Sequence, residues 1–510
     1  MVLASPSAPS APAATAVAIM AQLDRLGVKR QRMTVDSRSV SAGDVFIAIP
    51  GSKVDGRDFV ASALAQGAAA VLREVSSTNA KSDDARVIDV QNLSVLLGSV
   101  AGEFYGHPSS SLRVIGITGT NGKTSIANWL SQAFSALSIP CGAVGTLGVS
   151  LGAKTWPTNN TTPDAAHVQT ILRDLKAAGA LAVAMEVSSH ALELHRVTGT
   201  RFDTVVLTNL TQDHLDFHGT MEAYGAAKAK LFTDYSAKHR ILNADDDFGS
   251  QLIAKKLPNT LSYGLDRGDV RGDVVSMNAN GMQLSISVAG QTVSVETRLI
   301  GRFNAYNLLA VAATLIASNV ALESVVSVLS TLTAAPGRMQ RVNTVADAIE
   351  PCVYVDYAHT PDALAKALDT VRETRPQALT VVFGCGGDRD RSKRPLMGKI
   401  AADRADRVYV TSDNPRSEQA EAIINDIVAG IGSEQRNAVY PIVLRRDAIQ
   451  HAIKSANAKD AILIAGKGHE TYQEIKGVRY PFSDADEALI ALAARSLSNQ
   501  NVYEAHHVGQ

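Results

Sequence analysis

The chain has 510 residues, 45% of them hydrophobic and 19% charged, a balance that excludes a disordered or fibrous protein. At about 150 residues per domain, that length points to roughly three domains. Its 49 Lys and Arg against 50 Asp and Glu leave a net charge of -1, so nothing favours a nucleic-acid or membrane surface and any anion site must be built locally.

Residues 1–22 are rich in Ala, Ser and Pro and carry no Lys or Arg ahead of an apolar stretch, so they read as a floppy tail and not a secretory signal. Residues 23–108 alternate short apolar runs such as 45–49 with Gly-containing turns, include a helix near 59–67, and predict a small α/β domain. Residues 109–336 follow, with buried strands expected at 114–118, 182–187, 204–207 and 240–243 between helices. That alternation favours a parallel sheet covered by helices. Alternating polar and apolar residues over 269–299 predict antiparallel hairpins, an excursion within the same domain. The apolar stretch 308–318 is far short of the ~20 residues a membrane span needs and reads as a buried helix. Breaker residues at 334–338 set the next boundary. Residues 337–497 repeat the strand and helix alternation, with strands near 353–357, 379–383, 407–411 and 461–465, and 498–510 form a second tail. The fold class is therefore α/β in three domains, a central P-loop parallel-sheet domain and a C-terminal Rossmann-like doubly wound domain among them. Cys141, Cys352 and Cys385 show neither disulfide nor metal-ligand spacing and point to a reducing cytoplasm.

The strongest local signal is Gly119-Thr120-Asn121-Gly122-Lys123-Thr124-Ser125, entered by a strand and left by a helix over 125–137. Glycines let backbone N–H groups turn toward one point, the helix start adds partial positive charge, Lys123 reaches terminal phosphates, and the Thr124 hydroxyl can bind Mg²⁺. The spacing departs from the usual P-loop: Gly116 to Gly122 encloses five residues and Gly119 to Gly122 only two, where motors and switches have four.

Glu186 ends a strand, where a carboxylate can meet a nucleotide or its metal; capping of a nearby turn is the alternative. Residues 209–219 gather Asp213, His214, Asp216 and His218, whose carboxylates suit Mg²⁺, with zinc as the alternative. Lys228 and Lys230 on a helix over 221–232 read by themselves as two solvated lysines. Residues 384–390, followed by the basic run 391–394, can form a second anion-binding loop. In Asp413-Asn414-Pro415-Arg416, Arg416 can grip a substrate carboxylate while Asp413 and Asn414 orient an ammonium; a plain turn is the alternative.

Together with Glu186-Val187-Ser188-Ser189-His190, the segment at 301–307 and Asp356-Tyr357-Ala358-His359-Thr360-Pro361-Asp362, these motifs resemble the Mur ligases over nearly the whole chain. The resemblance implies an ATP-dependent acid–amino-acid ligase of peptidoglycan precursor synthesis, cytoplasmic and monomeric, using Mg²⁺ and making an acyl phosphate. It implies that Lys123, Glu186, His214 and Lys228 are catalytic, that Thr124, Glu186, His214 and Lys228 hold metal, and that Lys228 does so as carbamyl-lysine. It adds Asn304, Asn307, Arg338, Asp356 and His359 to the phosphate loop as ATP contacts. Val35, Ser37, Ser52, Lys53, Val54, Asn160, Thr161, Thr162, Ser188 and Arg196 would hold a UDP-N-acetylmuramoyl dipeptide. Leu194 departs from the pattern, standing where a Gln is frequent. Arg389, Asp413, Asn414, Pro415, Arg416, Gly466 and Glu470 would bind the incoming amine, and the form of 413–416 is the one associated with meso-2,6-diaminopimelate. A sibling ligase adding lysine and a P-loop NTPase switch are the alternatives.

Overall fold

Met33–Thr34, Val45–Ala48, Ala70–Val75 and Val87–Gln91 pair in that order into a four-stranded parallel sheet. Val45–Ala48 is buried at every residue, as a parallel strand covered on both faces must be. These strands belong to a computed structural model that describes residues 11–51, 54–76, 82–158, 160–343 and 350–507. The tail expected over 1–22 is corrected from Ala11 onward, because Ala11–Arg25 is a helix. Its Ala16, Ile19, Met20 and Leu23 fall on one face and share a core with Leu93, Leu97, Val100 and Phe104 of the helix Leu93–Phe104.

In the next sheet, Arg113–Thr118 lies between Ala182–Glu186 and Phe202–Leu207 and runs parallel to both. Ala237–Asn243 and Thr260–Gly264 continue the parallel run on one side and Cys141–Gly145 on the other. The expected strands are present: three start one to three residues earlier, as in Ala237–Asn243 against 240–243, and Ala182–Glu186 ends one residue short of 187. Val114, Val183, Val205, Leu207 and Leu242 pack with Leu172, Leu192, Leu231 and Phe232 in its core. The phosphate loop, Glu186 and residues 208–214 all follow carboxyl ends of these strands, where α/β sheets place their ligands.

The chain divides into two compact units, one running to Arg271 and including Leu309–Leu322, the other formed by Gly272–Leu308 and the chain from Glu323. The hairpin of Gly281–Val288 and Gln291–Thr297 is antiparallel as expected, but it falls in the second unit and not with the phosphate loop. The second unit's six-stranded sheet has the order Gln340–Arg341, Cys352–Asp356, Ala461–Ala465, Leu379–Phe383, Arg407–Val410, Val439–Pro441. All neighbours are parallel except the first pair. Ala461–Ala465, late in the chain, sits between two earlier strands, so the strand order switches beside it and opens a crevice at the carboxyl ends. Residues 384–390, 413–416 and 466–470 all leave from that edge. The tail expected over 498–510 is also corrected, because the helix Asp484–His507 continues through most of it.

Candidate active site

In the first unit the loop is held by the segment after Phe202–Leu207. Asn209 accepts Thr120 N through its carbonyl (2.9 Å) and Asn121 N through Oδ1 (3.0 Å). Thr208 Oγ1 donates to the Asn121 carbonyl (2.6 Å), and Thr120 Oγ1 donates to the Thr211 carbonyl (3.0 Å). Only glycine fits at 119: its φ is 146°, and a Cβ there would overlap Thr208 Oγ1. Gly122 caps the helix Lys123–Ala136, and Thr124 and Ser125 are buried in its first turn. N–H groups at a helix start point toward one spot and suit phosphate oxygens.

Two lysines meet the same loop carbonyl. Lys123 Nζ donates to Gly119 O (2.8 Å) and Thr120 O (2.9 Å), and Lys228 Nζ donates to Gly119 O (2.9 Å). Lys228 is only 1% exposed, which overturns its reading as a solvated lysine; its neighbour Lys230 pairs with Glu193 at 2.8 Å. Burial, then the positive charge of Lys123, hold the Lys228 amine well below the ordinary lysine range. Glu186 is buried and accepts Thr146 N at Oε1 (2.8 Å) and Thr146 Oγ1 at Oε2 (3.3 Å). A Cβ at Gly145 would overlap its carboxylate, so that glycine makes room for it.

His214 has a left-handed φ of 52° at the start of the short helix Leu215–His218. Its ring lies 4.8 Å from that of His190, and His218 lies 5.5 Å from His190 and 5.1 Å from Tyr224. Burial pushes His190 and His218 below the usual histidine range. Among the described residues, no group of three or more His, Cys, Asp or Glu converges as metal ligands, so the zinc alternative has no ligand set here.

Thr161, Thr162, Ser188 and Arg196 come together beside Glu186. Thr162 Oγ1 donates to the Glu186 carbonyl (2.8 Å), Thr161 Oγ1 lies 3.2 Å from Thr146 Oγ1, and Arg196 Nη1 donates to the Thr162 carbonyl (3.1 Å). Ser188 caps the helix Ser189–Glu193 by accepting Ala191 N (3.2 Å). Asn160 and Leu194 are exposed. Val35 packs against the core that includes Ala165 and Ala166, and Ser37 opens the 3-10 turn Ser37–Ser39. Val54 is exposed, and Ser52 and Lys53 lie outside the described residues.

In the second unit, Asn304 and Asn307 are buried and bonded to each other (3.2 Å). Asp356 accepts Met339 N (2.6 Å) and Ala358 N (2.9 Å), Arg338 lies over the Tyr357 ring at 4.7 Å, and His359 Nδ1 is 2.9 Å from the Tyr357 carbonyl. At the crevice, Arg416 has a left-handed φ of 50° and donates to the Gly387 carbonyl (2.7 Å), joining the loops 384–390 and 413–417. Asn414 Nδ2 donates to Glu470 Oε2 (2.8 Å). The basic run expected as an anion loop is largely committed: Arg391 and Arg394 both bind Glu418, at 2.6 and 2.8 Å. Arg389 remains exposed. Sequence reasoning missed Glu418, Lys467 and the buried Arg445–Asp484 pair; only Lys467, between two glycines after an apolar strand, carried a local signal.

Three family models match successive segments of the chain: "Mur ligase family, catalytic domain" over residues 31–105, "Mur ligase middle domain" over 117–315 and "Mur ligase, glutamate ligase domain" over 337–468. A curated relative from Chromobacterium violaceum, named UDP-N-acetylmuramoyl-L-alanyl-D-glutamate--2,6-diaminopimelate ligase, is 48% identical over 93% of this chain and 97% of its own. One of the same name from Pseudomonas aeruginosa is 46% identical over 91% and 95%. A solved structure of a ligase of that name superposes with a TM-score of 0.68 at 37% identity, covering 91% of this chain and 95% of the other. MurF ligase from Thermotoga maritima in complex with ADP shares the fold, with a TM-score of 0.63 at 19% identity over 92% and 99%.

Proposed function

The chain belongs to the Mur ligase family, and we propose that it uses ATP to join meso-2,6-diaminopimelate to the D-glutamyl γ-carboxylate of UDP-N-acetylmuramoyl-L-alanyl-D-glutamate. The carrying observation is the convergence of Lys123 and the buried Lys228 on Gly119 O, in the loop that cradles phosphates.

A carboxylate does not condense with an amine in water at a useful rate. Its oxygen therefore attacks the γ-phosphorus of ATP, the bond to the β-phosphate oxygen breaks with its electron pair leaving on ADP, and an acyl phosphate forms. Lys123 and the loop N–H groups balance the charge that moves onto the leaving phosphate. The neutral amine then attacks the acyl carbon, the tetrahedral adduct expels phosphate, and the nitrogen loses a proton to give the amide.

Lys228 serves this chemistry as a carbamate. A neutral amine adds to CO₂ and releases one proton, and the low affinity of buried Lys228 for protons favours that neutral form. The donors suit a hard cation: Thr124 would supply a hydroxyl, Glu186 a carboxylate held by Thr146, and carbamylated Lys228 two oxygens sharing one negative charge, with His214 the fourth residue assigned to the metal. These residues would hold Mg²⁺, which when bound supplies charge neutralisation to the phosphates. Asn304, Asn307, Arg338, Asp356 and His359 are assigned to ATP by the family resemblance alone.

Arg196 and Thr162 are assigned to the muramoyl dipeptide, with Asn160, Thr161, Ser188, Val35 and Ser37. Asp413, Asn414, Arg416, Gly466 and Glu470 are assigned to the amine, with Arg389 and Pro415 beside them. Diaminopimelate carries two carboxylates and two ammonium groups, which suits an arginine and an acid in one crevice. Purified enzyme given the UDP-dipeptide, ATP and either diaminopimelate or lysine tests this, with the product read by mass. Only the diaminopimelate tripeptide should accumulate; equal incorporation of lysine would assign the chain to a lysine-adding sibling instead.

A further inference from the structure

Lys467 is 0% exposed, although lysine is among the residues least often fully buried. It sits between Gly466 at φ 113° and Gly468 at φ 53°, a left-handed pair that turns the chain sharply after the strand Ala461–Ala465 and sends the side chain inward. A Cβ at 466 would meet Asp413 Oδ2 at 2.7 Å, and one at 468 would meet Tyr357 Cβ at 2.8 Å. The turn is thus closed on both sides.

Lys467 Nζ donates to Glu470 Oε2 (2.8 Å) and to Asn414 Oδ1 (3.2 Å). Asn414 Oδ1 also accepts Glu474 N (2.9 Å), which leaves its Nδ2 to donate to the same Glu470 Oε2 (2.8 Å). The three side chains therefore close a ring in which each orients the next. Oε2 is consumed within it, while among the described residues Glu470 Oε1 has no hydrogen-bond partner.

We propose that Lys467 is a positioning residue for amine selection: it fixes the Asn414 amide and ties down one oxygen of Glu470, so that the other faces an ammonium group of the incoming diamino acid. The inference rests on the amine assignment above. Without Lys467, the Asn414 oxygen keeps only Glu474 N and Glu470 Oε2 keeps only the Asn414 amide, so the carboxylate is held by one neutral bond and can rotate.

The charges around Glu470 give this a pH signature. Burial alone would push its carboxyl up; the charge of Lys467, the bonds from Lys467 and Asn414, and the charge of His469 outweigh that and hold it below the usual glutamate range. Arg445 faces the same group from the helix Arg445–Ser455, and Asp413 and Tyr357 from neighbouring strand ends. Removing Lys467 takes away the largest opposing charge, so Glu470 becomes protonated at higher pH and loses its hold on an ammonium group there.

The test compares wild type, Lys467→Gln, Lys467→Arg, Glu470→Gln and the Lys467→Gln/Glu470→Gln double variant, measuring KM for diaminopimelate and kcat across pH. For Lys467→Gln the expected result is a rise in that KM of roughly 10-fold or more, the cost of a hydrogen bond to a charged group. KM for ATP and the UDP-dipeptide should stay constant, and the acid limb of the diaminopimelate KM should move to higher pH. In the Glu470→Gln background the same change should have little further effect. Lys467→Arg keeps the charge and should leave the acid limb in place while raising KM; should Lys467→Gln not fold, this variant carries the test. An unchanged KM in both Lys467 variants, or effects that simply add to those of Glu470→Gln, would overturn the inference. If wild type does not turn over diaminopimelate at all, it is the amine assignment that falls.

Discussion

At residue scale, the proposed carbamate rests on Lys228, which is buried. Its nitrogen touches Gly119 O and lies over the Tyr224 ring at 4.4 Å, in surroundings that penalise an ammonium. As pH falls, an ordinary lysine stays charged throughout the neutral range; this one gains its proton only at lower pH, so its neutral form is available to CO₂. Lys228→Ala should lower kcat by roughly 10²–10³-fold, the scale of losing one charge-stabilising group, and wild-type activity should fall when CO₂ and bicarbonate are stripped and return when they are restored. Activity indifferent to CO₂ would remove the carbamate. Gly145→Ala tests the other side of the cluster, since the new methyl displaces the Glu186 carboxylate. Misplacement by about an ångström can cost on the order of 10²-fold, so kcat should drop with little change in Tm; unaltered kinetics would show that the position of Glu186 does not matter.

At element scale, the second unit's crevice is underpinned by a buried ion pair. Arg445 at the start of the helix Arg445–Ser455 binds Asp484 at the start of Asp484–His507 by two bonds, 2.7 and 2.8 Å, with both side chains 0% exposed. The same guanidinium donates to the Ala465 carbonyl (2.9 Å), the residue before Gly466. Arg445→Met leaves the Asp484 charge buried alone, at a cost of about 3–5 kcal/mol. Denaturant unfolding should register that loss, and Arg445→Met/Asp484→Leu should recover much of it; a single variant as stable as wild type would contradict the role given to the pair.

The elements themselves were legible where a single stretch carried the signal. Leu379–Phe383 coincides with its expected bounds, because an unbroken apolar run needs no distant partner. Ala11–Arg25 was missed because its stripe of small and apolar residues gains meaning only against Leu93–Phe104, far along the chain. The site divides in the same way. The phosphate loop is contiguous and was read from its residues, whereas Lys228 acts on a carbonyl 109 positions away and looked solvated until resemblance to the family spoke for it. Arg445 escaped notice because burial of a charge cannot be read from one residue's neighbours in sequence, and the glycines around Lys467 mark a turn without showing that its side chain is buried.

At the scale of the whole molecule, the proposed reaction consumes ATP to activate a carboxylate and not to turn a switch. The loop's irregular spacing, the buried Lys228 and the acid-and-arginine crevice are parts of one reaction only if phosphate passes through an acyl phosphate. Enzyme given ATP, diaminopimelate and UDP-dipeptide labelled with ¹⁸O in both oxygens of the D-glutamyl γ-carboxylate decides this. One labelled oxygen should appear in each inorganic phosphate released and the other in the new amide, with no phosphate formed when the UDP-dipeptide is omitted. Phosphate free of label, or released without the dipeptide, would contradict carboxylate activation.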